Sequence, residues 1–587
     1  MKHRVVIHEA RRNCWLSFQD PVRSINAHHI GDVLPALQEL ETEVNSTGLY
    51  AAGFLSYEAA PAFDPALKVR PDDSDFPLLW FGLYPPPREF PVFPPFAAES
   101  PTPLATPSWI PSLSREEYCL SLGRLKHYLY AGDTYQVNFS FRLASSLPVS
   151  PWVLFAHLVG AQGAHYAAFV EMDSFSLCSA SPELFFRLDG QHLESRPMKG
   201  TAKRGRTTEE DRSQAHTLRE SAKDQAENVM IVDMIRNDMG RVAIPGTVEA
   251  GPLFTVERYP TVWQMVSTVT AQTHASLSDI MAALFPCASI TGAPKPRTME
   301  IIASEESTPR RIYTGTIGYL APGRQAQFNV AIRTALVEHK TNRAEYGVGG
   351  GIVWDSETGN EYEECWLKAR VLTESQPVFE LLETLLWTPD AGFFLLERHL
   401  MRLQDSADYF DISLSLPELR SELNRQASGF ETHASRRVRL LVTRDGTIRL
   451  ESAPLDPSVG VYPVQVRLAN KPVDPANRFL YHKTTNRTVY EEAKRDHPDC
   501  DDVLLWNPEG ELTESTIANI VVERDGKLLT PPVTCGLLPG AYRAELLNTG
   551  KIREAVILTR DLGLCKRLWL INSVRAWREA LLLTASQ

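Results

Sequence analysis

The stretch Arg196-Pro-Met-Lys-Gly-Thr201 places one lysine, Lys199, between a methionine and a Gly-Thr pair. It follows a strand-like run at residues 176–188, so the sequence predicts a loop whose amine stands at the wall of a pocket. A lysine amine is a nucleophile only when it is neutral, and such a site must disfavour the ammonium form by desolvation or by nearby cations. A solvated lysine in a surface turn is the alternative, because chemically active lysines are rare.

The overall charge restricts the function classes. The chain has 587 residues, with 72 acidic and 60 basic side chains and a net charge of −12. This balance argues against general nucleic-acid binding, although a local cationic pocket could still hold a small anionic substrate. The first residues lack the apolar core of a signal peptide, and no run approaches the ~18 apolar residues of a membrane span. We therefore expect a soluble protein that does not contact a membrane, and the scattered cysteines favour a cytoplasmic location.

The cysteines and the composition along the chain indicate its organisation. The eight cysteines are widely spaced and none forms a C-x-x-C pair, so a disulfide framework or a structural zinc site is not expected. We predict an N-terminal subdomain at residues 1–110, which includes a proline-rich joint at 84–107, and a catalytic domain at 111–372. A linker at 373–378 leads to a second, mixed α/β domain at 379–587.

Two polar residues precede Lys199 at the ends of predicted elements. An amphipathic helix at residues 114–131 leads into a strand, and Gln136 lies where one hands over to the other. Glu183 lies sixteen positions before Lys199, which fits two hairpin strands that place an acid opposite an amine. A polar turn residue and a surface glutamate are the alternatives.

Two acidic pairs are spaced to share a helix face. The predicted helices at residues 208–242 and 360–370 each carry two carboxylates three positions apart: Asp224 and Glu227, and Glu361 and Glu364. Such pairs are usually solvated. If they converged in a cleft, they would repel one another unless a cation lay between them, and magnesium suits oxygen ligands and an anionic substrate.

Candidate anion-binding groups follow the helix at 208–242. Residues 310–318 and 328–334 are predicted to form neighbouring strands, and Arg333 ends a mostly apolar run, so it either points at an anion or forms a structural ion pair. Residues 347–351 are predicted to form a glycine-rich turn whose backbone N–H groups could close on a carboxylate or phosphate.

Taken together, the motifs of the first ~370 residues resemble the chorismate-utilising enzymes, which include anthranilate synthase component I, aminodeoxychorismate synthase component I and isochorismate synthase. The matching blocks occur in the family's order: Ser181-Pro-Glu, Pro197-Met-Lys-Gly-Thr, Glu227-Asn-Val-Met-Ile-Val-Asp-Met-Ile-Arg-Asn-Asp, Ile290-Thr-Gly-Ala-Pro-Lys, Tyr313, Ala331-Ile-Arg-Thr, and Gly349-Gly-Gly-Ile-Val-Trp-Asp-Ser through Glu364.

The resemblance implies a two-sheet α/β sandwich and a covalent reaction. Isochorismate synthases carry a lysine where this chain has Gln136, and anthranilate synthases typically have alanine where it has Lys199. Lys199 therefore resembles the aminodeoxychorismate synthases. In the implied reaction Lys199 adds at C2 of chorismate, Glu183 protonates the departing C4 hydroxyl, ammonia enters at C4, and the lysine leaves.

The resemblance also implies ligand-binding roles. Glu227 and Glu364 are the implied direct magnesium ligands, with Asp224 and Glu361 around them. The implied substrate-binding residues are Gln136, Thr291, Tyr313, Arg333, Gly349 and Gly351. One departure is Gln264, which stands where many relatives have histidine, so that histidine's role does not carry over.

The last ~210 residues resemble pyridoxal-phosphate enzymes of fold type IV, the branched-chain aminotransferase type. A Pro-Gly pair before a predicted helix at 541–547 exposes backbone donors suited to a phosphate. Lys483, which could alone be a surface residue, is implied to form the Schiff base, and Glu514 to pair with the pyridine nitrogen. The implied phosphate-binding residues are Arg402, Ala541, Tyr542 and Ser573, and Thr384 is implied to lie near the substrate. Ala541-Tyr-Arg replaces the more common Ile-Thr-Arg.

The two resemblances imply an α+β protein with two active sites. The first would aminate chorismate with magnesium, and the second would remove pyruvate with pyridoxal phosphate to give 4-aminobenzoate, a folate precursor. No Gly-x-Cys-x-Gly turn of a glutaminase is visible, so ammonia or a separate glutamine amidotransferase subunit must supply nitrogen. A homodimer through the second domain is a further candidate. The alternatives are an anthranilate synthase-type enzyme with an aminotransferase-like appendage, and a non-catalytic second module.

Overall fold

The computed structural model describes residues 3–94, 108–147, 149–373, 377–431, 434–456 and 463–583. Much of the predicted proline-rich joint (95–107) and part of the predicted linker (374–376) lie outside the described residues. The chain divides into two compact units. The first comprises Met1–Lys203 and Ala215–Gln376, and the second comprises Arg204–Gln214 and Pro377–Gln587.

Residues up to 373 form antiparallel strands and helices. The strands are β1 (Arg4–Glu9), β2 (Cys14–Gln19), β3 (Arg23–Ala27), β4 (Tyr50–Leu55), β5 (Leu79–Tyr84), β6 (Arg88–Phe90), β7 (Ile110–Pro111), β8 (Gln136–Ser146), β9 (Tyr166–Glu171), β10 (Phe175–Ser181), β11 (Leu184–Asp189), β12 (His192–Arg196), β13 (Met198–Lys203), β14 (Glu249–Ala250), β15 (Thr255–Arg258), β16 (Val262–Val266), β17 (Val269–Gln272), β18 (Gly292–Ala293), β19 (Thr316–Ala321), β20 (Gln325–Val330), β21 (Thr334–Glu338) and β22 (Arg343–Ile352). The α-helices are α1 (Ile30–Thr47), α2 (Arg115–Tyr130), α3 (Pro151–Gln162), α4 (Thr208–Glu220), α5 (Ala222–Gly240), α6 (Leu277–Leu284), α7 (Lys295–Glu305) and α8 (Thr358–Ala369).

The first unit is a sandwich of two large sheets. One sheet has the strand order β18-β8-β22-β21-β10-β9-β1-β2-β6, with β7 paired to β8, and the other has the order β14-β17-β12-β11-β20-β19-β4-β5-β3. Val5 and Phe18 of the first sheet pack with Phe54 and Tyr84 of the second in one apolar core between the sheets. Successive side chains of a strand point to opposite faces of its sheet, so each sheet also has an outer face that other elements must cover. The predicted two-sheet α/β sandwich is confirmed.

Helices cover both outer faces. Helices α2, α3 and α8 contribute to one core with the first sheet, and α1, α5 and α6 contribute to another with the second sheet. A small third sheet, β13-β16-β15, carries Lys199. Helix α2 begins with a capping box, in which the Ser114 side chain accepts from the Glu117 backbone and the Glu117 side chain accepts from Ser114. This matches the predicted helix at 114–131.

The single helix predicted at residues 208–242 is wrong in one respect. The chain forms two helices, α4 and α5, with Ser221 between them. The Ser221 hydroxyl accepts a hydrogen bond from the backbone N–H of Asp224 at 3.3 Å, which restarts the helix as an N-cap. Periodicity alone does not reveal such a break, because serine also occurs within helices.

The second unit contains two further sheets. Its strands are β23 (Leu381–Thr388), β24 (Gly392–Phe393), β25 (Arg436–Val442), β26 (Ile448–Pro454), β27 (Val464–Leu468), β28 (Asp502–Trp506), β29 (Leu512–Ser515), β30 (Asn519–Arg524), β31 (Lys527–Thr530), β32 (Arg553–Glu554), β33 (Arg567–Asn572) and β34 (Ala576–Leu582). Its helices include α9 (Leu396–Phe410), α10 (Leu416–Ala427), α11 (Thr488–Arg495) and α12 (Ala541–Asn548). The sheets have the orders β24-β23-β25-β26 and β29-β28-β27-β34-β33-β30-β31-β32. This agrees with the predicted α+β class.

Among the described residues, none of the helices combines the length and the apolar character that crossing a bilayer requires.

Candidate active sites

A cavity of about 340 Å³ in the first unit brings most of the predicted residues together. Its walls come from β13, α5, β22, α8 and the connections before β11 and after β20. The predicted residues that line it are Glu183, Lys199, Asp224, Glu227, Tyr313, Arg333, Gly349, Gly351, Glu361 and Glu364. An amine, an acid, four further carboxylates and an arginine therefore share one enclosure.

Lys199 lies in strand β13 rather than in the predicted loop. The strand's pairing with β16 shifts register between Met198 and Thr201, and Gly200 within the shift has a φ of +100°. That conformation is open to glycine, which explains why the motif pairs lysine with glycine. The Lys199 Nζ lies 3.6 Å from Oε2 of Glu227, and the Lys199 carbonyl accepts from Asn228 Nδ2 at 3.3 Å.

Glu183 is the buried acid of this cavity, with only 3% of its surface exposed. Burial raises the pKa of its carboxyl to about 7, against the opposing effects of Ser289, the Met198 backbone and Lys199. Ser289 Oγ donates to Glu183 Oε1 at 2.7 Å. A carboxyl with this pKa keeps a proton near neutrality and can act as a general acid.

The four remaining carboxylates come from two helices. Asp224 and Glu227 lie on α5, and Glu361 and Glu364 on α8. Burial raises the pKa of Glu361, and the charge of Glu364 adds to this effect. Lys368, whose Nζ lies 2.7 Å from Oε1 of Glu364, lowers the pKa of that half-exposed carboxyl. The cavity thus concentrates negative charge, and Lys199, Lys223 and Lys368 line it beside these carboxylates.

The donor chemistry suits magnesium. Carboxylate oxygens are the hard ligands that this ion takes, usually with several waters retained. Among the described residues, no group of three or more acidic, histidine or cysteine side chains lies close enough to hold a metal ion as it stands. Both acidic pairs line the cavity that holds Lys199, so a cation bound there would relieve their mutual repulsion.

The glycine-rich stretch at 347–351 is a strand, not the predicted turn. It belongs to β22, which pairs with β8 from Gly347 opposite Arg142 to Gly351 opposite Asn138. The glycines allow side chains to approach closely: a Cβ at Gly347 would lie 2.1 Å from the Tyr313 ring, and one at Gly351 would lie 2.4 Å from Lys199 Nζ. The site needs glycines here because side chains at these positions would collide with Tyr313 and Lys199, and it does not need a turn.

Gln136 and Thr291 differ from the other predicted substrate contacts. Gln136 is fully buried, and its two side-chain polar atoms lack hydrogen-bond partners among the described residues. A Cβ at Gly351 would lie 3.2 Å from Gln136 Nε2, so this amide lies near the amine of Lys199. Thr291 does not line the cavity and donates to the carbonyls of Cys287 and Ala288. Its substrate contact stays a prediction.

Arg333 lines the cavity as predicted for an anion-binding side chain. Its φ of +51° places it in the left-handed region between β20 and β21, and its Nη1 donates to the Lys368 carbonyl. Lys368 in turn donates to the Gly349 carbonyl at 2.9 Å. A backbone carbonyl therefore positions Arg333, and because that acceptor carries no net charge, the bond does not neutralise the guanidinium.

Sequence reasoning missed several residues of this site. Only the fold brings Ser289 to Glu183. Lys223, Asn228 and Lys368 lie one to four positions from the predicted acidic residues, so helical spacing could have indicated them. Gln264, a departure from the family pattern, lines the cavity, and Thr201 Oγ1 donates to its Oε1 at 3.1 Å.

The second unit has its own cavity of about 640 Å³. It is lined by all the residues predicted for the cofactor and for catalysis in this unit: Thr384, Arg402, Lys483, Glu514, Ala541, Tyr542 and Ser573. They come from distant parts of the sequence, so their convergence would not arise from a single local motif.

Lys483 is an amine with an altered acidity. Burial lowers its pKa to about 8, and the charge of Arg402 acts in the same direction. Its carbonyl accepts from the backbone N–H of Leu382 at 3.0 Å, which fixes the segment that carries it. A larger share of this amine is neutral at pH 7 than for an ordinary lysine, as a covalent attachment to an aldehyde requires.

Glu514, on β29, is held by three donors. Tyr490 Oη donates to Oε1 at 2.7 Å, the Leu538 backbone N–H donates to the same oxygen at 3.2 Å, and Asn519 Nδ2 donates to Oε2 at 3.3 Å. Burial raises the pKa of this carboxyl to about 7 despite these bonds. A buried acid with fixed orientation suits a protonated ring nitrogen.

The expected phosphate seat has the features that a phosphate needs. Helix α12 begins at Ala541 after Gly540, which supplies no side-chain cap, so its first N–H groups remain available. Arg402 is oriented by Glu383, to which its Nε and Nη2 donate at 2.8 and 2.7 Å. Burial would raise the pKa of Glu383, but Arg402 and His399 lower it well below its usual range. These residues fit pyridoxal phosphate.

Two family comparisons match the two halves. Residues 3–374 match the chorismate binding enzyme family, and residues 380–581 match amino-transferase class IV. These matches confirm both predicted resemblances. The predicted domain bounds stay predictions.

Several curated relatives are similar to the first half. Aminodeoxychorismate synthase component 1 of Salmonella typhimurium is 42% identical over 265 residues, which are 45% of this chain and 58% of that protein. The Escherichia coli protein of the same name is 41% identical over 272 residues, 46% of this chain and 60% of that protein. Anthranilate synthase component 1 1 of Haloarcula marismortui is 40% identical over 264 residues, 45% of this chain and 54% of that protein. The chain thus spans somewhat over half the length of these relatives.

The solved structure of anthranilate synthase component I from Streptococcus pneumoniae aligns with a TM-score of 0.54 and 22% identity. It covers 63% of this chain and 92% of that chain, and at this identity it supports the fold alone.

Proposed function

The chain belongs to the chorismate binding enzyme family, and from this premise we propose that its first site aminates chorismate at C4. The observation that carries the proposal is the pairing of an amine with a proton-holding acid in one cavity. Lys199 lies beside Glu227, and Glu183 keeps a pKa of about 7. The names of the relatives from Salmonella typhimurium and Escherichia coli support the same reaction.

The proposed reaction proceeds in two displacements. The neutral amine of Lys199 forms a bond at C2 of chorismate, the ring double bond shifts, and the C4 hydroxyl leaves as water with the proton of Glu183. Ammonia then bonds to C4, the double bond returns, and the C2–N bond breaks to release Lys199. One proton lost by the new C4 amine restores Glu183, so chorismate and ammonia give 4-amino-4-deoxychorismate and water.

The cavity's charged groups would hold the substrate around this chemistry. Tyr313, Arg333 and the β22 amides near Gly349 and Gly351 would hold the carboxylate groups of the substrate. Glu227 and Glu364, with Asp224 and Glu361 around them, would hold magnesium, which supplies positive charge for a substrate carboxylate.

The lysine at position 199 distinguishes this proposal from anthranilate synthesis. The similarity to the Haloarcula marismortui protein would favour anthranilate synthesis. The test compares Lys199→Ala with Lys203→Ala, an exposed lysine of the same strand, in the presence of chorismate, magnesium and ammonium. We expect the first variant to lose aminodeoxychorismate formation and the second to keep it. Full output from Lys199→Ala would refute the covalent role.

For the second site we propose that the product is cleaved to 4-aminobenzoate and pyruvate. Pyridoxal phosphate supplies an acceptor for the electrons displaced when the C4 proton is removed. Lys483 would hold the cofactor and, once displaced by the substrate amine, its Nζ would take the C4 proton. The C3–O bond of the enolpyruvyl ether would then break, and the departing enolpyruvate would take up a proton to become pyruvate. Glu514 would keep the ring nitrogen protonated, and Arg402, Ser573 and the α12 amides at Ala541 and Tyr542 would hold the phosphate. Thr384 would lie beside the substrate.

The presence of both sites in one chain favours the lyase over an aminotransferase, because the second reaction then consumes the product of the first. A visible absorbance band after addition of the cofactor, lost in Lys483→Ala and kept in Lys527→Ala at an exposed position of the same unit, tests cofactor attachment. A protein that takes up no cofactor would instead favour a non-catalytic module.

The nitrogen source and the assembly are proposed as well. The relatives named component 1 support a separate amidotransferase subunit that supplies ammonia. A homodimer through the second unit and a cytoplasmic location complete the proposal.

A further inference from the structure

The cavity of the second unit carries more positive charge than its cofactor would use. Among the residues that the structure describes, seven arginines line it: Arg402, Arg437, Arg439, Arg487, Arg543, Arg575 and Arg578. The acidic side chains that line it are Asp456 and Glu514. Glu514 is already held by Tyr490, Asn519 and the Leu538 amide, so it does not neutralise this arginine set.

Four of these arginines have partners that account for them, and one of the four is Arg575, whose Nη1 donates to the Asp456 carbonyl at 2.8 Å. Arg402 is paired with the buried Glu383, and Arg543 Nη2 lies 2.6 Å from Oε1 of Glu554. Arg487 donates to the Thr516 carbonyl and stacks on the Tyr490 ring, with 4.7 Å from its guanidinium carbon to the ring centroid. These contacts explain their presence without a substrate.

Arg437, Arg439 and Arg578, which we name the arginine wall, are less completely neutralised. Arg437 and Arg439 lie two residues apart on β25 and so project from the same face of that strand. Arg439 Nη1 lies 3.0 Å from Oε2 of Glu451, but Glu451 is also shared with Arg449 at 3.5 Å. Buried Nε of Arg578, on β34, has no hydrogen-bond partner among the described residues.

The wall adjoins the residue expected at the substrate. Arg439 lies directly opposite Thr384 in the pairing of β25 with β23, and both side chains line the cavity that holds Lys483. A buried guanidinium N–H without an acceptor costs free energy unless a ligand supplies one, and carboxylates match the guanidinium fork. Arg439 and Arg578 therefore both line the space expected for the substrate, and the Nε of Arg578 has no protein acceptor among the described residues.

We propose that the arginine wall binds substrate carboxylates and makes the second site selective for amines that carry two of them. This inference rests on the proposed function of the second site, whose substrate has a ring carboxylate and an enolpyruvyl carboxylate besides its amine. With Arg402 and the α12 amides assigned to the phosphate, the wall supplies the separate cations that a dianion needs. An amino acid with one carboxylate leaves part of the wall unpaired.

The test measures binding of isophthalate and benzoate to the full-length protein loaded with pyridoxal phosphate, by the change in cofactor absorbance and by calorimetry. We expect the native protein to bind the dicarboxylate at least about tenfold more tightly than the monocarboxylate. Arg439→Gln and Arg578→Gln should each remove most of this preference, and Arg439→Lys should restore part of it. Arg425→Gln, on the exposed face of α10, is the matched control.

Arg437→Gln keeps the test decisive if the other variants do not fold, because this side chain is exposed. Equal affinities for the two probes in the native protein, or an unchanged preference in all three glutamine variants, would overturn the inference. Pyruvate release from aminodeoxychorismate is measured in parallel. A binding preference for the dicarboxylate without pyruvate release would refute the proposed lyase reaction alone. Pyruvate release without that preference would refute the role of the arginine wall alone.

Discussion

Ser289 Oγ donates a hydrogen bond to Glu183 Oε1 across 2.7 Å, and burial raises the pKa of this carboxyl to about 7 even with that bond in place. A hydrogen bond to a carboxylate favours its charged form, so Ser289 opposes the effect of burial. The relationship sets the pH range over which Glu183 can give its proton to a leaving hydroxyl.

Ser289→Ala should move the alkaline limb of chorismate amination to higher pH. Glu183 acts as an acid only while protonated, so the rate falls as pH rises through its pKa of about 7. Loss of the Ser289 bond raises this pKa, and we expect the limb to move upward by up to about one unit. The kcat/KM for chorismate is measured against pH, with Ser304→Ala on α7 as the control. A limb that stays or moves downward would refute the role of Glu183 as the acid.

Gly351→Ala should disable the first site without unfolding it. The new Cβ would lie 2.4 Å from Lys199 Nζ, the far end of a flexible side chain, so the amine is displaced and the strand is kept. We expect a loss of about 100-fold in chorismate consumption, because a misplaced reacting group loses its orientation. Gly123→Ala on α2, where the added Cβ meets nothing within 4 Å, is the control. Near-native turnover in Gly351→Ala would show that Lys199 need not occupy its observed position.

Glu364→Gln should raise the magnesium concentration needed for half-maximal amination by at least about tenfold. The carboxylate lines the acidic cavity, whereas its neighbour Glu363 does not. Glu363→Gln is therefore a matched control one residue away on the same helix. Magnesium titrations of activity and of direct binding are compared for both variants, and the same response from both would remove Glu364 from the proposed metal site.

Tyr490→Phe should weaken the second site and leave the first unchanged. Its hydroxyl donates to Glu514 at 2.7 Å and favours the carboxylate, so its loss raises the pKa of Glu514 above about 7. The acidic limb of pyruvate release, below which Glu514 is neutral, should then move to higher pH, with a rate reduced by about tenfold at pH 7. Chorismate consumption is the internal control. An unaltered pH profile would separate Tyr490 from the function of Glu514.

Much of the first site follows from short motifs, because their order along the chain identifies Lys199, Glu183 and the two acidic pairs. Their structural context was harder to predict. The sequence predicts a turn at Gly351, but this residue lies in strand β22. A glycine is needed there because the Lys199 amine, which is far away in sequence, lies where a side chain would be. Lys199 itself lies at a register shift that depends on pairing with β16.

Residues that act through tertiary contacts could not be predicted from local patterns. Ser289 has ordinary sequence surroundings, and only the fold brings it to Glu183. Lys368, by contrast, pairs with Glu364 at the i,i+4 helical spacing that a sequence does reveal. In the second unit, Arg437 and Arg439 alternate with apolar residues, as polar side chains do on the exposed face of a strand. Their link to Lys483 depends on the closure of two sheets around one cavity.

The central claim is tested most directly by identifying the aromatic product. The purified protein is given chorismate, magnesium, ammonium and pyridoxal phosphate, and the products are separated and identified by mass. We predict 4-aminobenzoate and pyruvate in equal amounts. Anthranilate as the product would contradict the account, because it would mean that Lys199 does not direct nitrogen to C4.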